Sequence, residues 1–545
     1  MDDKTGERIV RRYDSMKGDL DTFETLWQET AEYVLPHKSS ITREYHKGQK
    51  KTEELFSSDA KRANEKLAAG LFGFMTPPNE EWFQTGSAFE HIQAIEEVAW
   101  YFGTVSSIIR KALYDSNFPL EINEDFLELG AFGTSNLYME AGKKTALRFT
   151  NIRIGTYAVA ENAEGEVDTV YRQFEMTVRQ LAQKFGLKNL SEDLQQEWNN
   201  EADKGKDKKY KVIHAVEPRS DYKPQKRDKK NKPFASYYVE RKGKHLISEG
   251  GYDQQPYIVS RFAKGTDEAF GRGPGTETLP EIKMLNLMRK TTIRAAEKKV
   301  DPPILLPDDG VLGRFKMTPG AINYMRKNRW ENQPTPFETK GDVGLGLEMI
   351  QAEAANIKEA FHNDLFDVLS NRRNMTATEV VERIEEKLVL FSPIFARVSS
   401  EKLTRIIERA FHILNENGYL PPPPQVLLQY PEYKITYISK IALALKSIDI
   451  NAVSDTLATV GPYMNFDPTI LDNFNFNNIT RGTAQRNNVP VDFMNSQEQI
   501  AAIREQRAER EAQEHAMEMA NKAADVASKT SKPVEPGSPL EALAS

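Results

Sequence analysis

Apolar residues recur every three or four positions at the start of the chain, the spacing of one face of an α-helix. The first such stripe predicts a single helix that ends before Pro36. Its members are Ile9, Tyr13, Met16, Leu20, Phe23 and Trp27. The same spacing predicts a second helix over residues 58–72 and a third over 92–114, separated by the turn TPPNEEW.

Between about residues 145 and 259 the spacing shortens to the alternation of half-buried strands. The stretch YAVAENAEGEVDTVYRQF predicts two strands around a Glu-Gly turn, and KVIHAVEP and FASYYVE predict two more. A helix is predicted between them, near residues 177–199. This middle region is therefore expected to be α+β.

Two long helices bracket a small module in the next part of the chain. The first is predicted from about Thr278 to Lys299 and is stopped by the DPP at 301–303; at 1.5 Å per residue it is about 33 Å long. The stretch ILLPDDGVLGRFKMTPGAINY predicts two or three short strands. A helix of similar length returns over about 347–369. The pattern therefore predicts a helical hairpin with a small β-containing head.

The remaining elements are mainly helical. TATEVVERIEEK predicts a helix, and Ser392-Pro393 then has the signature of the start of another one, which runs to Asn417 with Gly418 as its cap. Residues 440–460 and 496–530 are also predicted to be helical. The last helix is Ala-rich with a weak apolar stripe, so it needs neighbours to stay folded. From Ser531 the chain is predicted to be disordered.

A short polar break, LSNRRNMTATEV, separates the returning helix from the next one. It carries Arg372, Arg373 and Asn374. One interpretation is a contact with an anionic partner that passes this point. The other is a solvated corner, in which the arginines cap the preceding helix or pair with Glu379 or Glu382.

Composition narrows the class of protein. The chain has 545 residues and a formal net charge of −7, with 28% charged and 39% hydrophobic residues. These values are near those of soluble proteins, no apolar run reaches the length of a membrane span, and the polar start MDDKTGERIV does not resemble a signal peptide. With no cysteine, disulfides and thiolate sites are excluded, and a reducing cytoplasm is the expected folding compartment.

Charge is unevenly distributed. Residues 203–232 hold twelve Lys or Arg against five Asp or Glu, a local net charge of +7. A solvated loop or hairpin tip explains this block most simply, since it has few large apolar residues. A contact with nucleic acid or a partner is the alternative. Its candidate residues are Lys226, Arg227, Lys229 and Lys230.

No catalytic signature stands out. GRGPGTET lacks the Gly-Lys-Ser/Thr of a phosphate-binding loop and the spacing of a dinucleotide fingerprint, so a flexible joint leading into the long helix explains its glycines better. The eight histidines are scattered, without His-Glu-x-x-His, and there is no Gly-x-Ser-x-Gly. The sequence therefore predicts neither an enzyme, nor a metal site, nor a cofactor.

Several stretches together resemble the head-to-tail connector (portal) proteins of short-tailed, T7-like bacteriophages. They are KRANEKLAAGLFGFMTPPNEEWF (61–83), GRGPGTETLPEIKMLNLMRKTTIRAAEKKVDPPILLP (271–307), NMTATEVVERIEEKLVLFSPIFARV (374–398) and RIIERAFHILNENGYLPPPP (405–424). Their order and spacing match over roughly residues 10–440. The basic block and the chain beyond about residue 490 lie outside the resemblance.

The resemblance implies a mainly helical α+β fold of the portal type, with wing, stem, clip, crown and barrel. On this chain the segments are an N-terminal wing (1–275), a first stem helix (276–300), a clip (301–345), a second stem helix (346–370), a tunnel loop (371–376), wing helices (377–425), a crown (426–495), a barrel helix (496–530) and a disordered tail (531–545). In such proteins the tunnel loop points into the channel. Arg372, Arg373 and Asn374 are therefore the expected DNA contacts.

The resemblance also implies the partners. Copies of the chain are expected to form a ring, normally of twelve, around double-stranded DNA at one capsid vertex of the virion. The expected protein partners are terminase, a tail adaptor or tube protein, the major capsid and scaffolding proteins and internal core proteins, with no membrane partner. The motor chemistry is expected in the separate terminase.

The acidic net charge suits a DNA channel, because a protein that neutralises many phosphates would hold the duplex and obstruct its movement. Two other classes stay open. One is a DNA-processing enzyme, a nuclease or motor, against which the missing nucleotide and metal signatures count. The other is a tail or scaffold structural protein of different symmetry.

Overall fold

The structure is a computed structural model. It describes residues 2–18, 20–46, 48–199, 203–223, 228–305, 335–336, 343–370, 377–430, 432–438, 475–477, 479–480 and 497–530. The chain divides into two compact units, Met1–Ile448 and Asp449–Ser545. None of the described helices is long and apolar enough to cross a membrane.

The N-terminal stripe forms two helices, α1 (Asp2–Gly18) and α2 (Asp21–Val34). The single helix predicted from the stripe is therefore wrong. The amide of Leu20 donates to the carbonyl of Lys17 at 2.9 Å, which closes a turn, and α2 starts with an acidic first turn. The break lets Ile9 and Tyr13 pack on one core while Trp27 packs in another.

The next helices are α3 (Asp59–Met75), α4 (Glu90–Gln93), α5 (Glu96–Tyr114) and α6 (Phe118–Phe132). The helices predicted over 58–72 and 92–114 are confirmed as α3 and α5. The apolar spacing did not predict α6, which is buried along most of its length and ends at Gly133 in the left-handed conformation (φ 76°). Together with α2 these helices enclose the largest hydrophobic cluster, called here the main core.

In the part of the chain that the structure describes, strands pair into five antiparallel sheets, ordered β1-β14, β3-β2-β9, β4-β5-β6-β7-β8, β10-β11 and β12-β13. The strands are β1 (Phe83–Ser87), β2 (Thr134–Ala141), β3 (Leu147–Asn151), β4 (Tyr157–Glu161), β5 (Val167–Thr177), β6 (Lys209–Pro218), β7 (Phe234–Glu240), β8 (Leu246–Tyr252), β9 (Tyr257–Arg261), β10 (Ala263–Lys264), β11 (Gly271–Arg272), β12 (Ile304–Leu305), β13 (Thr335–Pro336) and β14 (Tyr433–Tyr437). All four strands predicted from the alternating stretches are confirmed, as β4 to β7.

The five-stranded sheet is covered by different helices on its two faces. Successive side chains of a strand point to opposite faces, and accordingly Ile213 packs with α1 while Val212 packs with α7 (Val178–Phe185) and α8 (Glu192–Asn199). The single helix predicted near 177–199 is wrong, because Gly186 adopts φ 84° and ends α7. A short helix, α9 (Asp203–Lys206), precedes β6.

A short α10 (Pro274–Glu277) leads into the predicted long helix, α11 (Leu279–Val300), which is confirmed. The returning helix is divided into α12 (Val343–Ala360) and α13 (Asn363–Ser370). The division lies at His362, which has φ 52°. Between α11 and α12 the structure describes residues 301–305 and 335–336, where β12 and β13 pair as Ile304↔Pro336 and Leu305↔Thr335. The rest of the predicted small β-containing module lies outside the described residues.

Beyond the break follow α14 (Ala377–Val398), a π-helical turn (Ser399–Thr404), α15 (Arg405–Glu416) and α16 (Gln425–Gln429). The helix start predicted at Ser392-Pro393 is wrong, because α14 continues through Pro393 and the hydroxyl of Ser392 donates to the carbonyl of Val389 at 3.0 Å. The cap at Gly418 is confirmed by its φ of 72°.

The second unit contains the last described helix, α17 (Gln497–Thr530). The helix predicted over 496–530 is confirmed. The helix predicted over 440–460 and the disorder predicted from residue 531 lie outside the described residues.

Candidate functional site

Helices α11 and α12, called here the projecting pair, carry the chain away from the main core and back. They pack on each other, and a side chain at Gly346 would lie 3.0 Å from the hydroxyl of Thr292. At the inner end, Ile282 and Leu285 of α11 and Ile357 of α12 are buried. At the outer end nearly every side chain is accessible.

The projecting pair exposes many apolar side chains along its length. Leu287 is 63% exposed and Val300 is 86% exposed on α11, and Leu345 is 57% exposed on α12. Met284, Ile293, Leu347 and Met349 are also among the exposed large hydrophobic residues. Such a concentration of exposed apolar residues on two adjoining helices is typical of a protein–protein interface.

The inner part of α11 is fixed by polar contacts. The side-chain oxygen of Asn286 accepts from the amides of Phe56 (2.7 Å) and Ser57 (3.1 Å), while its side-chain nitrogen donates to the carbonyl of Glu54 (2.9 Å). Arg289 pairs with Asp59. These contacts hold the inner end of the helix on the loop before α3.

Charge differs between the two helices. Over its length α11 carries six Lys or Arg and two Glu, whereas α12 carries three Glu and one Lys. Within the described residues, Arg294, Lys298 and Lys299 at the outer end of α11 form no ion pair. One helix is therefore basic and the other acidic, and each presents apolar residues beside its charges. This combination allows α11 of one copy to meet α12 of another, which is a head-to-tail contact.

Glycines set the position of α11. A Cβ on Gly273 would lie 2.8 Å from the backbone of Gly133, and one on Gly275 would lie 2.4 Å from the carbonyl oxygen of Ala131. The GRGPG stretch is thus buried against the end of α6, and its interpretation as a flexible joint is wrong. Only glycine allows this close approach of two backbones.

A buried ion pair joins α6 to the π-helical turn. Lys402 and Asp125 are both 0% exposed, their side chains pair, and the ammonium of Lys402 also donates to the hydroxyl of Ser135 at 2.6 Å. Burial lowers the pKa of Lys402, and the charge of Asp125 opposes that change. The neighbouring Glu401 accepts from the backbone amide and the guanidinium of Arg261, both at 2.8 Å. Adjacent residues of the turn therefore bind different parts of the main core.

The predicted DNA contacts Arg372, Arg373 and Asn374 lie outside the described residues. The segment 371–376 that holds them connects the end of α13 to the start of α14. Both interpretations of the two arginines stay open, and the assignment stays a prediction.

The basic block is only partly described, since Lys226 and Arg227 lie outside the described residues. Residues Lys209–Pro218 of the block form β6, a central strand, so the solvated-loop interpretation is wrong there. Lys229 and Lys230 lie in a short turn, where the ammonium of Lys230 is 3.4 Å from the carboxylate of Glu249. Acidic residues from outside the block also pair with Lys208, Lys209 and Lys232.

Sequence reasoning missed the exposed face of the projecting pair and the buried Lys402. The sequence does carry a signal for the exposed face, because Leu287 and Leu345 lie off the apolar stripes of their helices. No local signal marks Lys402, since its partner is 277 positions away in the chain.

Comparison with known proteins supplies the family. The model of the family described as "Bacteriophage head to tail connecting protein" matches residues 7–494. The chain is 28% identical over 527 residues to the probable portal protein of Bordetella phage BPP-1, covering 96% of this chain and 94% of the relative. It is also 28% identical over 526 residues to the portal protein of Salmonella phage epsilon15, covering 95% and 94%. The resemblance predicted from the sequence is confirmed, and the chain belongs to the family of bacteriophage head-to-tail connecting proteins.

Proposed function

We propose that this chain is the portal subunit of a bacteriophage, copies of which form a ring at one capsid vertex. The ring is the channel through which the genome is packaged and later ejected. The observation that carries the proposal is the family match over residues 7–494, together with two relatives that are named portal proteins and align along nearly their whole lengths.

The surfaces of the projecting pair favour assembly of the copies into a ring. A head-to-tail contact repeats around a closed ring when each copy offers two different, complementary surfaces. The basic, apolar α11 and the acidic, apolar α12 are two such surfaces on one subunit. We assign this pair to the stem, with twelve as the expected number of copies.

The other segments follow the same assignment. Residues 1–275 and 377–425 form the wing, 301–345 the clip, 426–495 the crown and 496–530 the barrel. The clip is the docking surface for terminase during packaging and for the tail adaptor afterwards. The wing faces the capsid and scaffolding proteins, and the crown and barrel face the internal core proteins.

The tunnel loop, residues 371–376, is the DNA contact of this proposal. Arg372, Arg373 and Asn374 supply a sequence-independent grip on phosphates, with Lys226, Arg227, Lys229 and Lys230 as accessory contacts. The subunit itself is non-enzymatic, and the packaging energy comes from the terminase.

Native mass spectrometry of the purified full chain, with electron micrographs taken down the ring axis, tests the proposal. Closed rings of about twelve copies with a central channel are expected. A stable monomer with magnesium-dependent nuclease or ATPase activity would overturn it. A sixfold ring would instead favour a tail structural protein.

A further inference from the structure

Three positive charges lie together where the β2–β3 hairpin meets the five-stranded sheet, and they are called here the basic cluster. They are Arg148 on β3, Arg172 on β5 and Lys184 on α7. Arg148 and Lys184 are exposed, and Arg172 is partly buried. Each cation comes from a different element, so the cluster is a product of the fold.

A buried histidine fixes the positions of two of these cations. In the strand register Arg172 is directly opposite His214, which is directly opposite Tyr238 on the next strand. The rings of His214 and Tyr238 are stacked with their centres 4.0 Å apart. The ammonium of Lys184 donates to the hydroxyl of Tyr238 at 3.2 Å. Arg172 and Lys184 therefore belong to one small area of the sheet.

Arg148 and one carboxylate complete the group. Arg148 is directly opposite Glu140 in the β2–β3 register, and Glu140 accepts from the hydroxyl of Tyr138 at 3.3 Å. Desolvation lowers the pKa of Lys184, and the charge of Glu140 opposes that change. The positive charges of Arg172 and Arg148 lower the pKa further. The four charged groups are thus close enough to act on one another, and three of them are positive.

The cations of the cluster differ from those of the basic block in their pairing. In the part of the chain that the structure describes, none of the three cluster cations forms an ion pair with a carboxylate. In the basic block, by contrast, carboxylates pair with Lys208, Lys209, Lys230 and Lys232. The cluster therefore keeps positive charge that the chain itself neutralises only through the nearby Glu140.

The tip of the β2–β3 hairpin extends this positive surface. It carries Lys143 and Lys144, both exposed, and neither forms an ion pair among the described residues. The pair Ala141↔Leu147 closes the hairpin next to the pair that contains Arg148. Five cations on the hairpin and the elements beside it thus accompany one carboxylate, in a chain whose formal net charge is −7.

The arrangement of the charges favours an extended polyanion. The cations are spread along a hairpin, a strand and a helix, which suits the repeated phosphates of a nucleic-acid backbone better than one small anion. Arginine adds a planar fork of donors that matches phosphate oxygens. Because the cluster cations have no ion pair to break, contact with phosphate does not cost the subunit an internal one.

We propose that the basic cluster and the hairpin tip bind the phosphate backbone of double-stranded DNA, independently of its sequence. This contact is additional to the tunnel loop and to the accessory lysines of the basic block. The choice of DNA as the polyanion rests on the proposed function, whereas the positive surface does not.

Fluorescence anisotropy of a labelled DNA duplex titrated with the full chain tests the proposal. The cluster variant combines Arg148→Gln with Lys184→Gln. We expect its affinity to fall about fivefold or more for each cation removed, and equally for duplexes of unrelated sequence. The slope of log affinity against log salt should become shallower by about 0.9 for each lost phosphate contact.

Arg43→Gln with Lys61→Gln is the matched control. It removes the same two types of side chain at positions where Glu32 and Glu65 already pair with them. This control should bind the duplex as the unaltered chain does. Unchanged affinity in the cluster variant, or an equal loss in the control, would overturn the proposal.

A charge-conserving variant separates loss of charge from loss of folding. Arg148→Lys with Lys184→Arg keeps both positive charges and should retain most of the affinity for the duplex. Thermal melts of all variants show whether each is folded. A loss of affinity in this variant as large as in the cluster variant, at an unchanged melting temperature, would show that positive charge is not what binds and would overturn the proposal.

A labelled polyglutamate peptide distinguishes an acidic partner protein from DNA. If the cluster variant loses binding of polyglutamate but keeps binding of the duplex, the surface serves an acidic protein and the DNA proposal is wrong. Mass photometry of the same samples separates this test from the proposed function, since the cluster variant should form rings as the unaltered chain does. If no sample forms rings while duplex affinity still depends on the cluster, the portal assignment fails and the present inference stands.

Discussion

The main core and the projecting pair differ in which side chains they place in an unfavourable environment. The main core buries charged side chains, and those it buries most deeply, Lys402 and Asp125, are paired with each other. The projecting pair exposes apolar side chains: Leu287 is 63% exposed and Leu347 is 51% exposed. The main core thus pairs its buried charges within the chain, whereas the projecting pair leaves apolar surface accessible.

This difference separates folding from assembly. Substitutions in the main core should unfold the subunit, whereas substitutions on the outer face of the pair should leave it folded and alter what it binds.

Replacing Lys402 by Ala should produce the largest loss of stability. It leaves the carboxylate of Asp125 buried without its cation, which costs about 3–5 kcal/mol. Urea unfolding followed by fluorescence measures the loss. Lys61→Ala, which removes an exposed pair with Glu65 on α3, is the matched control and should cost less than about 1 kcal/mol. Equal losses in both variants would show that the buried pair has no special role.

Replacing Leu287 and Leu347 together by Ser should leave the subunit folded but weaken ring formation. A leucine that becomes buried in a contact contributes about 1.5–3 kcal/mol, and the loss recurs at every contact of the ring. Mass photometry should show smaller species at concentrations where the unaltered chain forms rings. Leu120→Ser, at another exposed leucine in α6, is the control. If the variant forms rings as readily as the unaltered chain, the projecting pair is not part of the contact between copies.

Acidification should destabilise the folded subunit through two buried histidines. Burial lowers the pKa of His214 well below its usual value, with help from Lys184 and Arg172, and burial lowers the pKa of His362 at the α12–α13 break. The unfolded chain then binds protons more tightly. Stability is therefore complete above about pH 6.5 and falls below it by about 1.4 kcal/mol per pH unit for each histidine.

Urea midpoints measured between pH 5 and 8 test this expectation. His214→Gln should flatten the pH dependence more than His362→Asn, since His214 is the more deeply buried. Asparagine suits position 362 because it tolerates the left-handed backbone there. A pH profile that neither variant changes would assign the acid sensitivity to other groups.

Replacing Arg372 and Arg373 by Ala should have the smallest effect on folding. If they occupy a solvated corner, each lost pair is worth about 0–1 kcal/mol. Under the tunnel-loop proposal, assembly and melting temperature stay nearly unchanged while genome packaging or retention weakens, most clearly at higher salt. If mutant particles package and retain DNA normally across a salt series, the result would favour the interpretation of the two arginines as a solvated corner.

Periodicity identified the elements whose stripes face one continuous core. The long α11 and the strands β4 to β7 are examples. It failed where one stripe serves two cores, as at Gly18 between α1 and α2, and where a local turn interrupts a good stripe, as at His362. The position of each break depends on which surface the helices on its two sides contact. Those surfaces are formed by residues distant in the chain, so the local sequence does not show them.

The candidate site was predictable in outline only. Two helices around a small module follow from the spacing of apolar residues. The exposure of Leu287, which lies between the anchored Asn286 and Arg289, depends instead on which face of α11 the core covers. The contacts of Gly273 and Lys402 are long-range, and residues at such distances carry no mutual signal in a single sequence. Pro393 shows the converse, because a local rule for helix starts was overridden by the surrounding helix.

The pairing of β1 with β14, and of Asp125 with Lys402, has a consequence for synthesis on the ribosome. Asp125 and Lys402 are 277 positions apart, so at 5–20 residues per second the first waits roughly 15–55 s for the second. During that interval α3, α5 and α6 stay without the segments that cover them, while α11 and α12 are made. The nascent subunit is therefore open to chaperones and to aggregation until residues near 437 have left the exit tunnel.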